Sequence, residues 1–203
     1  MLAKHAGAGT GMGFFTLEHS KVVYWMDFVV YGGAILALAL WLVADAPRER
    51  WPVLAACVAA GLALWTLIEY LLHRFVLHGV QPFRGWHAEH HRRPAALIGL
   101  PTYMSSVLFA TLVLAPAWWI GGGWFARSLT LGVLAGYLAF AVMHHASHHV
   151  RAGPAWLIRR KRWHALHHGS TDRPLGFGVT SAFWDHVFRS GVSVTAADRK
   201  GRP

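Results

Sequence analysis

Four apolar runs, each of a length suited to crossing a bilayer, constrain this chain more than anything else in it. Residues 22–44, VVYWMDFVVYGGAILALALWLVA, and 51–72, WPVLAACVAAGLALWTLIEYLL, match the roughly 20 residues that a helix needs to pass about 30 Å of hydrocarbon. Residues 102–120 and 124–143 repeat the pattern. The chain therefore reads as an all-α integral membrane protein with four transmembrane helices. With 55% hydrophobic and 14% charged residues, the composition excludes an ordinary soluble domain.

The segments between the runs fit this reading. Trp51 marks an interface, and Pro52 falls in the first helical turn, where proline is tolerated. Trp118 and Trp119 mark the far interface, and GGG at 121–123 turns the chain straight back, so the third and fourth spans form an antiparallel pair. Gly132 and Gly136 are spaced to let another helix approach closely. Residues 1–21 and 191–203 read as tails, with His5 and His19 solvated, and the apolar stretch 94–101 is expected along the interface. Cys57, the single cysteine, lies inside an apolar run and reads as a small buried residue.

The net charge of +10 raises the question of nucleic acid, but the basic residues sit in short loops and in the C-terminal segment. With four spans, 16 of the 19 Lys and Arg residues fall on one side and 3 on the other. The excess of positive charge predicts that both termini, and every clustered histidine, lie in the cytoplasm. The same basic distribution suits an anionic membrane surface better than a nucleic acid.

Histidine carries the chemistry. Of 15 histidines, most gather just beyond the ends of spans, in 73–100 and 144–190, as a cytoplasmic helical cap. HAEHH (87–91) and HALHH (164–168) share the pattern H-x-x-H-H, whose positions i, i+3 and i+4 form one patch on a helix. His73 and His78 stand five apart at the end of a span, where a loosened helix aims both rings inward. The run HHASHH offers two registers, His144 with His148 or His145 with His149, which spacing alone does not separate. Imidazole is the commonest neutral side-chain metal ligand, and there are only 9 acidic residues, so a multi-ligand metal site must be mostly imidazole. Glu69, one turn before His73, is a candidate partner of that ring, and Asp172 and Asp185 are candidate partners of other histidines. Arg159, Arg160, Lys161 and Arg162 are candidates to hold a lipid headgroup. Gly176 and Gly178 are expected to let the backbone pass close to the site, and Trp184 and Phe188 to enter the membrane interface.

On these residues the chain resembles the fatty acid hydroxylase superfamily. RKRWHALHHGSTDRPLGFGVTSAFWDHVF (160–188), with LGFG and FWD after the last histidine cluster, is similar to the fatty acid 2-hydroxylase branch, as is EYLLHRFVLH (69–78). The short interval between His78 and His87 is closer to the carotenoid β-ring hydroxylase branch.

The resemblance implies a cytoplasm-facing site with two metal ions that uses O2 to hydroxylate a lipid chain. Carried over by position, the ligands are His73, His78, His87, His90, His91, His145, His149, His164, His167 and His168, with His144 and His148 as the alternative register. The pair His145 and His149 is preferred because its distance to His164 matches the 2-hydroxylase pattern. Iron is the expected metal for activity, since zinc takes the same ligands without redox chemistry. No fused cytochrome b5-like domain is seen, so electrons are expected from a separate cytochrome b5-like or ferredoxin-like protein. The substrate is expected to be a membrane lipid. The alternatives are a desaturase or a carotenoid or sterol oxidase with the same kind of site, or a metal-binding membrane protein without catalysis.

Overall fold

The computed structural model describes residues 18–170 and 174–191. Regular structure there is helical apart from one isolated antiparallel bridge, Glu18 with Ile98. Helix α1 (Lys21–Asp45) opens on Ser20, whose Oγ accepts a hydrogen bond from Val23 N at 3.3 Å and so satisfies a donor that the first turn leaves free. Helix α2 (Trp51–Leu71) carries Pro52 in its first turn, where the missing N–H has no partner to lose. A π-helical turn, Leu72–Leu77, prolongs it past the end of the apolar run. There follow α3 (Phe83–Arg92), α4 (Thr102–Phe109), a second π-helical turn (Ala110–Leu114), α5 (Ala115–His149), α6 (Ala155–His168) and the short α7 (Phe183–Val187).

Among the described residues, three helical stretches are long and apolar enough to cross a membrane: Lys21–Asp45, Arg48–Leu77 and Thr102–His149. Two expected spans have merged in the last of these, which runs 48 residues but is not a rod. On a straight helix Phe109 and Tyr137 would stand about 42 Å apart; their ring centroids are 5.2 Å apart. The chain reverses at Gly122, whose φ of 71° and ψ of −175° suit a residue without a Cβ. Stretches 102–121 and 123–149 are thus antiparallel arms of a hairpin. The outward faces are apolar, with Leu112 69% and Trp119 95% exposed, a surface that water penalises and hydrocarbon does not.

The bundle is tightest where α2 crosses α5. A Cβ on Gly61 would lie 2.3 Å from Leu129 O, and one on Gly132 would lie 2.1 Å from Val58 O, so the two backbones touch. One turn on, Gly136 receives the Trp65 side chain. Leu42, Ala46, Leu54 and Leu131 fill the end of the bundle away from the histidines, and Met143, Ala146, Leu157 and Val179 pack beneath them.

Residues 94–101 are pinned rather than laid free along an interface. His19 N donates to Leu97 O at 2.9 Å, and the His19 ring meets Gly99 O at 2.9 Å. His19, expected in solvent, is therefore a strut for this segment.

Candidate metal centre

The centre begins where α2 changes pitch. Residues five apart on an α-helix point about 140° away from each other. In the π-helical turn, His78 N donates to His73 O at 3.2 Å, and the two rings come to lie 5.2 Å apart at 28°. Sequence spacing that would scatter this pair on an ordinary helix brings it together here.

Two groups of five histidines result. His73, His78, His87, His91 and His167 form one, and His90, His144, His148, His164 and His168 the other; within each, five ring nitrogens lie within 4.8 Å of one another. Each H-x-x-H-H segment serves both groups, in opposite senses. Helix α3 gives its first and last histidines to the first group and His90 to the second, whereas α6 gives its first and last to the second and His167 to the first. The groups adjoin, with the rings of His91 and His168 stacked at 4.2 Å.

A loop, 175–180, fixes part of this arrangement. His73 Nδ1 donates to Phe177 O at 2.6 Å and His167 Nδ1 to Leu175 O at 3.0 Å. A neutral imidazole has one N–H and one lone pair, so with Nδ1 committed outward, Nε2 presents its lone pair to the centre. Two buried carboxylates hold the loop from opposite sides. Asp185 accepts from Phe177 N at 2.9 Å, Gly178 N at 2.8 Å and Ser190 Oγ at 2.9 Å. Glu69 accepts from Val179 N at 2.6 Å, Thr180 N at 2.9 Å and Thr180 Oγ1 at 2.6 Å. Gly178 is required at its position, because a Cβ there would lie 1.9 Å from Ser181 O.

Crowding keeps the rings neutral. Burial, then the neighbouring imidazoles, lowers His78 and His90 to about 3, His91 to about 4 and His168 to about 2; burial and nearby rings also push His87 and His164 well below the ordinary histidine range. At neutral pH the groups are therefore clusters of lone pairs with no carboxylate among them from the described residues. Such donor sets fit iron or zinc, not magnesium or calcium. In the second group Nδ1 of His90 and of His164 is buried with no hydrogen-bond partner, so those two rings lack the carbonyl tether of the first group.

A cavity of about 370 Å³ opens beside both groups, touching His73 and His87 of the first and His90 and His144 of the second. It runs into the helical bundle between apolar walls that include Phe28, Trp65, Leu108 and Phe140. The histidines thus face a space shaped for a hydrocarbon chain rather than open water.

The family model for fatty acid hydroxylases matches residues 58–190, which contain all ten grouped histidines and the loop. The chain belongs to the fatty acid hydroxylase family. It is similar to two dihydroceramide fatty acyl 2-hydroxylases of Arabidopsis thaliana. FAH2 is 29% identical over 170 residues, covering 74% of this chain and 66% of the relative; FAH1 is 32% identical over 191 residues, covering 88% and 77%. The chain thus spans just under two thirds of the length of FAH2. A solved structure described as full-length scs7p, with only the hydroxylase domain visible, shares the fold at a TM-score of 0.73. It is 24% identical, over 87% of this chain and 68% of that one.

Within this fatty acid hydroxylase fold, several residues stand elsewhere than the sequence suggested. His144 and His148 enter the second group; His145 and His149, the register preferred by resemblance, do not. Those two stack on each other at 4.5 Å, and His145 Nδ1 meets Tyr24 OH at 3.0 Å. The reason is helical phase: Phe140, His144 and His148 share the face of α5 that looks onto the centre, and one residue further round the ring meets Tyr24, Trp25 and Phe28 of α1. Glu69 and Asp185 accept from the loop, Val179 and Thr180 on one side and Phe177, Gly178 and Ser190 on the other, so Asp185 acts on His73 at one remove, through Phe177. Asp172 lies outside the described residues. Arg159, Arg160, Lys161 and Arg162 lie off the cavity wall; burial lowers Arg160, which sits near Glu69 and Asp185. Trp184 donates to Thr66 Oγ1 at 3.0 Å and Phe188 stacks on Tyr70 at 5.3 Å, docking α7 on α2. Gly176 and Gly178 were expected to bring the backbone close to the site; what the sequence did not reveal is that carbonyls of this loop, Phe177 O and Leu175 O, orient His73 and His167.

Proposed function

We propose that this chain hydroxylates a C–H bond of a membrane lipid or fatty acyl chain, using O2 at a pair of metal ions. The observation that carries this reading is the placement of two five-imidazole groups on the wall of one apolar cavity. His73, His78, His87, His91 and His167 hold one ion, and His90, His144, His148, His164 and His168 the other. Iron is the working metal, because zinc fits the same nitrogens but has no redox chemistry. When bound, the iron pair supplies the oxidising power that places one oxygen atom of O2 in a C–H bond, with electrons from a separate cytochrome b5-like or ferredoxin-like protein.

The residues of the chain do the positioning. Phe177 O and Leu175 O aim His73 and His167 inward, and Glu69 and Asp185 hold the loop from Phe177 to Thr180. Phe28, Trp65 and Phe140 keep water from the reacting chain and hold it beside the rings. Reversal at Gly122 gives four crossings, and the imbalance of Lys and Arg puts both termini and the centre on the cytoplasmic side. Arg159 and Arg162, exposed on α6, are available to a headgroup outside the cavity. The names of the similar plant proteins support an acyl chain as substrate.

Lipid mass spectrometry of cells carrying the natural chain or a His164→Ala variant, at equal expression, tests the reading. A lipid that gains one oxygen atom only with the natural chain supports it; identical lipid profiles remove it.

A further inference from the structure

Four helices each supply one ring to a cluster at the inner end of the cavity. Tyr31 of α1 meets Phe109 of α4 at 5.5 Å and Tyr137 of α5 at 4.7 Å; Trp65 of α2 meets Phe109 at 5.9 Å and Tyr137 at 5.2 Å. Trp65 and Tyr137 line the cavity, whereas Tyr31 and Phe109 do not reach it and back them. Trp65 stands about two turns before His73 on α2, and Tyr137 about two turns before His144 on α5. On α1, Tyr24 touches His145, and Tyr31, about two turns further on, touches Tyr137. The rings therefore lie across the bundle on the side away from the histidines. They are held in place. Trp65 packs on Gly136, where a Cβ would lie 2.6 Å from the Trp65 Cβ, and Tyr31, 3% exposed, has its OH at 2.7 Å from Ser105 Oγ and 3.2 Å from Ser106 Oγ.

We infer that this four-ring floor, with Trp65 at its surface, limits the substrate to acyl chains of medium length inserted methyl end first. A very long chain, of the order of 24 carbons, is about as long as the roughly 30 Å of hydrocarbon is thick. To lie straight it would have to pass the rings and then the packed residues Leu42, Leu54 and Leu131 beyond them. The volume agrees with the floor. At about 30 Å³ per methylene, close to the share of liquid volume that a water takes, a cavity of about 370 Å³ holds about a dozen. The methyl end leads because, among the described residues, no Lys or Arg lines the cavity. Asp27, whose Oδ2 accepts from Tyr137 OH at 2.5 Å, offers a carboxylate or phosphate headgroup no counter-charge near the floor. The headgroup therefore stays at the histidine end, and the carbons between the reacting position and the methyl group are the ones the floor counts. The inference rests on the reading that the cavity takes an acyl chain.

Retention of an equimolar mixture of saturated methyl esters, from octanoate to tetracosanoate, tests it. The metal-loaded protein in detergent is incubated with the mixture and repurified, and the esters kept are measured by mass spectrometry relative to the same mixture in detergent alone. Retention should peak at medium length and fall at least ten-fold by tetracosanoate. Trp65→Ala, which lowers the floor, should move the peak to longer esters by two carbons or more. Ala141→Phe, which fills the wall between Tyr137 and His144, should move it to shorter ones, and decides the matter alone if the Trp65→Ala variant does not fold. Retention that climbs without a break to tetracosanoate, or a peak that neither substitution moves, overturns the floor as the limit. Lipid mass spectrometry of cells separates the two ideas: hydroxylation of chains of every length leaves the proposed function standing and removes the floor, whereas a length limit in retention without any hydroxylation removes that function and leaves the floor.

Discussion

His73 donates its Nδ1 hydrogen to the carbonyl oxygen of Phe177 at 2.6 Å, across 104 positions of sequence. The same residue, Phe177, gives its N–H to Asp185. A carboxylate eight positions along the chain thus decides which nitrogen of a distant imidazole faces the centre. Replacing Asp185 with Ala leaves three buried donors without their acceptor and frees the loop. Partners that orient a ligand in this way are commonly worth about 10–100-fold in metal affinity. Asp185→Ala is expected to lose metal to a chelator at concentrations where the natural chain keeps it, measured as metal per chain by emission spectrometry. Retention equal to the natural chain would show that the loop does not orient the ring.

The phase of α5 makes a sharper prediction. His144→Ala and His148→Ala each remove a nitrogen from the second group and should lower bound metal by up to one ion per chain. His145→Ala and His149→Ala remove rings outside both groups, His145 against Tyr24 and His149 stacked on His145, and should leave metal content unchanged. Metal analysis of the four variants, purified alike, reads this directly. Loss confined to the His145 and His149 variants would reverse the register.

Much of this was legible in the sequence, for physical reasons. Apolar runs of bilayer length admit few folds besides a helix bundle, and GGG at 121–123 marked the reversal at Gly122 because a tight turn needs a residue with positive φ. Histidines at i, i+3 and i+4 announced their shared helical patch. What spacing does not encode is the allotment of His90 and His167 across groups, since that depends on where α3 and α6 stand relative to each other. The register of HHASHH was illegible for a related reason: both pairs are four apart, and only the packing of α1 against α5 tells them apart. Glu69 and Asp185 were noticed but given the wrong contact, because backbone N–H groups, which satisfy them, leave no trace in a sequence.

Acid should empty the centre. Burial and neighbouring rings depress His78, His90 and His91 to about 3 or 4, below the ordinary value near 6.5. Between those values the unfolded chain binds protons that the folded chain does not, so stability falls as pH drops from about 6.5 toward 4 and is unaffected by these rings above 7. Bound metal adds to the slope, since each ion must leave before its ligands accept protons. Thermal unfolding in detergent at pH 7.5, 6.5 and 5.5, with metal measured in parallel, should show a small change over the first step and a large one over the second. A midpoint that is flat down to pH 5.5 would mean that the rings are not buried as neutral groups.

The contact of α2 with α5 predicts a contrast between glycines. On Gly132 a Cβ meets Val58 O at 2.1 Å and Gly61 Cα at 2.9 Å, all backbone, so nothing can rotate aside and the helices must part. On Gly33 of α1 a Cβ meets nothing within 4 Å. Gly132→Ala is therefore expected to destabilise by about 1–3 kcal/mol or more, the usual cost of overpacking, and to loosen the cavity wall that Trp65 and Tyr137 share. Gly33→Ala should be neutral or stabilising by about 0.5–1 kcal/mol, from helix propensity alone. Because Gly61 and Gly132 touch each other, Gly61→Ala combined with Gly132→Ala should cost less than the sum of the two, the separation being imposed once. Thermal unfolding of the four variants in one detergent checks this, and equal effects of Gly33→Ala and Gly132→Ala would mean that the two helices do not meet backbone to backbone.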